Sequence, residues 1–113
     1  MKDRLFLLSP GFFEEQRGPL YCGDSLPIEG LLSLFPSLRE SIDVRHVAFQ
    51  KPREEIVAIL GAEHQSAPVL VLGQDAQLVE GVAVKTIGKE RYVDDEKEIR
   101  RYLSARFALP GAS

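Results

Sequence analysis

Val69-Leu70-Val71-Leu72 is an unbroken aliphatic run with Ala67-Pro68 directly before it. A strand without polar alternation needs cover on both faces, so helices must flank the sheet that contains it. Leu5-Phe6-Leu7-Leu8 is a second such run, cut off by Ser9-Pro10-Gly11, and Val44 to Phe49 reads as a further strand. The cover comes from three helical patterns. Between about Ser25 and Leu34, Ile28, Leu31, Leu32 and Phe35 follow the i, i+3, i+4, i+7 spacing of one helical face. Asp24 or Ser25 can cap that helix, Pro27 fits its first turn and Pro36 stops it. A second helix opens at Pro52, carries Ile56, Val57, Ile59 and Leu60, and closes at Gly61. The last runs from about Asp95 to Phe107 and buries Ile99, Tyr102, Leu103 and Phe107. Its acidic start (Asp94, Asp95, Glu96) and basic later turns (Arg100, Arg101, Arg106) complement the helix dipole.

Two stretches carry weaker patterns. Residues 9 to 21, punctuated by Pro10, Gly11, Gly18 and Pro19, read as a long loop, a common form of binding loop or lid. In residues 73 to 93, Val82-Ala83-Val84 reads as an edge segment and Glu90 to Val93 as a strand after a turn at Gly88-Lys89. The order is β-α-β-α-β-(β)-β-α. The first two βα units imply right-handed parallel crossovers, and the short last connection implies an antiparallel return. The expected fold is α/β, one domain over residues 1–113, built on a four-stranded mixed sheet with helices on both faces.

Composition excludes several classes of function. Fourteen Lys and Arg against 17 Asp and Glu give a net charge of −3, the wrong sign for a general nucleic-acid binder. No apolar run reaches the roughly 18 residues of a membrane span. The apolar stretch after Met1-Lys2-Asp3-Arg4 is too short for a signal peptide. A single cysteine forms no internal disulfide, which points to a cytoplasmic protein. One cysteine and two separated histidines, His46 and His64, offer no metal-ligand spacing. The apolar pattern shows no separate interface stripe, so the oligomeric state is open.

The chemistry concentrates in Tyr21-Cys22-Gly23-Asp24-Ser25, where the long loop enters the first helix. Unpaired N–H groups and the positive dipole end stabilise a thiolate there. The Ser25 hydroxyl is expected to hydrogen-bond the sulfur, while the carboxylate of Asp24 opposes ionisation. At these residues the chain resembles the thioredoxin-like superfamily, in its glutaredoxin-like branch. Tyr21-Cys22-Gly23-Asp24-Ser25 stands where that family has Y-C-x-x-C or the monothiol C-x-x-S. Ala67-Pro68 stands where it has a cis-proline before the third strand. The chain also resembles a bacterial family of uncharacterised thioredoxin-like proteins, in Leu7-Leu8-Ser9-Pro10-Gly11-Phe12, Tyr21-Cys22 and Ile28-Glu29-Gly30-Leu31-Leu32.

The resemblance implies a nucleophilic Cys22, with Ser25 in place of a resolving cysteine. Pro68 is then the cis-proline, and Tyr21, Ala67 and Pro68 form the substrate-binding surface. Without a second thiol, a mixed disulfide must be released from outside. The expected function is monothiol redox chemistry with glutathione as co-substrate and no tightly bound cofactor. Arg17 is the candidate for the glutathione carboxylate, and Asp94 or Asp95 for its γ-glutamyl amine. Cys22-Gly23-Asp24-Ser25 is also similar to the C-G-T-S-R context of glutaredoxin-linked arsenate reductases, but Leu26 stands where their arginine holds an oxyanion. From another class, the alternative is a non-catalytic thioredoxin-like module that binds a peptide or protein at the same groove.

Overall fold

The computed structural model describes all residues from Met1 to Ser113. In chain order the elements are β1 (Arg4–Leu8), β2 (Phe12–Glu14), β3 (Arg17–Leu20), α1 (Leu26–Leu34), α2 (Leu38–Ser41), β4 (Asp43–Val47), α3 (Glu54–Leu60), β5 (Val69–Val71), β6 (Lys85–Ile87), β7 (Glu90–Val93) and α4 (Glu96–Arg106). Five strands make one mixed sheet in the order β4-β1-β5-β7-β6, and β2 and β3 form a separate hairpin. Strand β1 pairs parallel with β4 and antiparallel with β5, and β7 is antiparallel to both of its neighbours.

The aliphatic runs sit where their lack of alternation requires. Leu5 and Leu7 point into a cluster with Ile28 and Leu32 of α1 and Ile99, Tyr102 and Leu103 of α4. Phe6 and Leu8 point to the other face and pack with Val69, Val71, Ile56 and Leu60. Helices therefore cover both faces of an α/β sheet. No helix is long and apolar enough to cross a membrane.

The sheet has five strands where four were expected. The added edge strand is Lys85–Ile87, which turns through Gly88 (φ 58°) onto β7. The segment expected there, Val82 to Val84, is not a strand, because Val82 and Val84 pack instead against the α1–α4 core. The loop expected over residues 9 to 21 contains the β2–β3 hairpin. Its two turn residues, Glu15 and Gln16, both have positive φ (51° and 68°), so the tight turn forms without the glycine that usually signals it. Helix α2 is only four residues long, too short to show a period. Phe107 caps α4 and is half-buried rather than in the core.

The second crossover also differs from expectation. Strand β4 runs parallel to β1, but β5 comes back antiparallel. Helix α3, with seven residues, is only about 10 Å long. Residues 61–68 then bring the chain back to the end of the sheet where β4 finished. This places the Ala67-Pro68 segment beside the end of β1 rather than at the far end of the sheet.

A buried carboxylate ties three elements together. Asp3 is 5% exposed, and one of its oxygens accepts the Gly73 N–H at 2.7 Å. The other accepts the Tyr102 hydroxyl at 3.0 Å. Gly73 has no room for a side chain, since a Cβ there would run into the Met1 carbonyl. Burial, reinforced by the Asp3 charge, pushes the Tyr102 hydroxyl up from 10.0 to about 12. Its folded pKa exceeds the unfolded one, so its contribution to stability is complete below about pH 10 and is lost as pH rises toward 12. Tyr102→Phe leaves Asp3 short of a donor and is expected to cost about 1–3 kcal/mol in urea unfolding at pH 7. The same variant should lose less stability than the native chain between pH 10 and 12, which a pH series of urea midpoints would measure.

Candidate functional site

Helix α1 is assigned from Leu26, but its hydrogen bonding starts earlier. The Leu26 N–H donates to the Cys22 carbonyl at 3.2 Å, so Cys22 occupies the position of a helix cap. In that position Cys22 Sγ accepts the backbone N–H of Ser25 at 3.3 Å. The sulfur is half-buried and packs against the cluster on the α3 side of the sheet.

Ser25 meets the sulfur through its backbone and not through its hydroxyl. Its side chain is buried (3% exposed), and its hydroxyl oxygen accepts the Leu8 N–H at 3.3 Å. The reason lies in register. Strand β5 begins opposite Phe6, so Leu8 extends past its neighbour and its N–H needs another acceptor. The Ser25 hydroxyl therefore joins the end of β1 to the start of α1.

The Ala67–Pro68 bond is cis. Pro68 is buried, and Ala67 packs against the same cluster as Cys22. Of the five residues singled out from the sequence, Cys22, Ser25, Ala67 and Pro68 gather at one end of the sheet. Tyr21 is directed outward and is 64% exposed.

The proposed glutathione contacts are engaged elsewhere. Arg17 lies on the hairpin surface, 3.6 Å from Glu14. Asp94 pairs with Lys85 at 3.0 Å. Asp95 caps α4 by accepting the N–H groups of Lys97 and Glu98. His64 Nδ1 lies 3.4 Å from the Tyr92 hydroxyl, and His46 Nε2 lies 2.7 Å from Glu29. No group of His, Cys, Asp and Glu side chains is arranged to hold a metal ion.

Arg53 is a buried cation that the sequence does not single out. It caps α3 and is only 9% exposed. Its Nε and Nη2 donate to the Phe49 carbonyl at 3.1 and 2.7 Å, and its Nη1 donates to the Gln65 carbonyl at 2.7 Å. Its backbone N–H donates to Gln65 Oε1 at 2.8 Å. One side chain thus joins the β4–α3 connection to the segment leading into Ala67-Pro68. The ring of Phe49 lies under the guanidinium at 5.7 Å and stacks on Phe12 of the hairpin at 4.3 Å. Burial lowers the pKa of Arg53, and the Cys22 sulfur acts on it in the opposite direction. A cation at the head of a helix opposes the dipole, and that misplacement was the available sequence signal.

Comparison with known families places the chain. A family model described as "Protein of unknown function (DUF3088)" matches residues 2–111. The chain belongs to the DUF3088 family. No curated protein and no solved structure matches it. For this DUF3088 protein, Ser25→Ala should leave the buried Leu8 N–H unpaired and cost about 1–3 kcal/mol in urea unfolding. Because the backbone N–H of Ser25 faces the sulfur, the alkylation rate of Cys22 should stay within about twofold of the native rate once the variant is folded.

Proposed function

We propose that this DUF3088 protein is a thioredoxin-like, glutaredoxin-like monothiol protein that exchanges disulfides with glutathione through Cys22. The observation that carries the reading is the sulfur at the head of α1, half-buried and accepting the Ser25 N–H. The fold reading is supported by the parallel β1–β4 pair, the antiparallel returns of β5 and β7, and the cis Ala67–Pro68 bond at the cysteine end of the sheet. On this reading β2–β3 and β6 are additions to the core. The setting proposed with it is the cytoplasm, where thiols are kept reduced.

The chemistry needs one protein thiol and two molecules of glutathione. The Cys22 thiolate attacks the glutathione sulfur of a mixed disulfide between glutathione and a substrate thiol. That S–S bond breaks, the substrate leaves as its thiolate and takes up a proton, and a Cys22–glutathione disulfide forms. A second glutathione, as thiolate, attacks the glutathione sulfur of this adduct. Glutathione disulfide leaves and the Cys22 thiolate returns. In the net exchange the substrate sulfur passes from disulfide to thiol and the incoming glutathione sulfur from thiol to disulfide, while the first glutathione's sulfur stays in a disulfide throughout. Ser25 cannot serve as a resolving group because it has no thiol, and its hydroxyl is held by the Leu8 N–H.

The exposed apolar side chains on either side of the cysteine, Tyr21 and Leu26 (64% and 53% exposed), favour the second reading. That reading is a non-catalytic module binding a peptide or protein partner at the same place. Thiol reactivity separates the two. Native Cys22 should react with iodoacetamide near pH 7 faster than the urea-unfolded chain does. Glutathione disulfide should add one glutathionyl group, found by mass spectrometry at Cys22, and Cys22→Ser should abolish both reactions. A native thiol that resists alkylation until the chain unfolds would overturn the redox reading in favour of the module.

A further inference from the structure

The end of the sheet opposite Cys22, where β1 and β4 begin, holds an open cleft of about 440 Å³. That is within the range of small-molecule sites, roughly 300–1,000 Å³. Its walls carry Lys2 and Arg4 from the β1 side, Asp43 and Val44 of β4, and Arg39 of α2. Three cations thus meet one carboxylate. The carboxylate is engaged by a residue that does not line the cleft, since Asp43 Oδ2 accepts Arg45 Nε at 3.2 Å.

The cations are not satisfied in the same way. Arg4 stands 3.9 Å from Glu90, Arg39 stands 3.8 Å from Glu29, and neither donates a hydrogen bond across that gap. Arg4 is the sharpest case. Four arginines are at least partly buried: Arg4, Arg53, Arg91 and Arg100. Arg53 donates to two carbonyls, Arg91 to three, and Arg100 to the carboxylate of Glu96. Arg4 Nε is buried with no acceptor at all. A guanidinium withdrawn from water with idle donors is costly, and an anion entering the cleft brings acceptors to it, to Lys2 and to Arg39.

We propose that this cleft binds the phosphate group of a small phosphorylated molecule. The lining groups leave two positive charges in excess, which matches the charge of about −1.5 to −2 on a phosphate monoester. Two of the cations are arginines, whose planar forks meet phosphate oxygens in pairs. Asp43 lines the same space and is placed to accept a hydroxyl of the ligand, while Val44 offers an apolar wall. The backbone that carries these groups is already fixed. Asp3, between Lys2 and Arg4, is buried and held by Gly73 and Tyr102, and its carbonyl accepts the Asp43 N–H at 2.9 Å. Ile42, 1% exposed, anchors the chain three residues after Arg39. Binding therefore costs little ordering of the backbone. The site is independent of Cys22 and of any redox role.

The test is titration of the folded chain with inorganic phosphate and with glycerol 3-phosphate at constant ionic strength, followed by amide chemical shifts, with glycerol as the uncharged control. Both phosphates should give saturable shifts confined to residues 1–4 and 39–44, and glycerol should give none. Lys2→Met and Arg39→Met, at exposed positions, should each weaken binding about threefold. Arg4→Met should weaken it about tenfold or more. Glu90→Gln removes the charge paired with Arg4 and should tighten binding, which keeps Arg4 under test if Arg4→Met fails to fold. Shifts that do not saturate, shifts spread over the whole basic surface, or an affinity unchanged in folded Lys2→Met and Arg39→Met would overturn the site. A response to inorganic phosphate without one to glycerol 3-phosphate would overturn the phosphorylated ligand.

Discussion

Strand β1 has no face turned to water. Leu5, Phe6, Leu7 and Leu8 alternate between two cores, so the chain must place helices on both sides of the sheet before any of them can be buried. α1 and α4 take one side and α3 takes the other. Each of those four side chains contributes roughly 1.5–3 kcal/mol by leaving water, and β1 supplies the largest single block of core. The site depends on the same strand. Cys22 is reached by chain leaving the C-terminal end of β1, and the Ser25 hydroxyl is held by the N–H of Leu8, the last residue of β1.

The direction of β5 decides what the cysteine meets. A parallel β5 would start at the opposite end of the sheet and carry Ala67-Pro68 away from Cys22. The antiparallel pairing of Leu5 with Leu70 and Phe6 with Val69 brings that segment to the cysteine end. The segment is held there by Arg53 and Gln65, whose hydrogen bonds run between the β4–α3 connection and residues 62–65. The Phe12–Phe49 stack then fastens the β2–β3 hairpin to the same region. Arg53 therefore orders two loops with a single side chain.

Asp3 does comparable work at the other end of the sheet. A buried carboxylate that accepts one N–H and one hydroxyl couples the start of the chain to Gly73 and α4. Neither partner carries a compensating positive charge, so the carboxylate depends on both donors being present. The link explains why Tyr102, a polar residue in the middle of an apolar helix face, is fully buried.

From the sequence alone, the aliphatic runs Leu5–Leu8 and Val69–Leu72 determined an α/β sheet covered on both faces. Helical spacing located α1, α3 and α4, and the order of elements placed Cys22 at the head of α1. These follow from local rules, because periodicity, caps and breakers act within a few residues. The hairpin was not legible because Glu15 and Gln16 take positive φ without a glycine to mark it, and Pro19 lies within its second strand. The count and direction of the strands, the capture of the Ser25 hydroxyl by Leu8 and the burial of Arg53 were decided only by tertiary structure. Each depends on partners apart in the chain: β5 with β1, Ser25 with β1, and Arg53 with Gln65. Local sequence carries no record of such pairings, since they are set by how the packed sheet leaves its last hydrogen-bonding groups and charges to be satisfied.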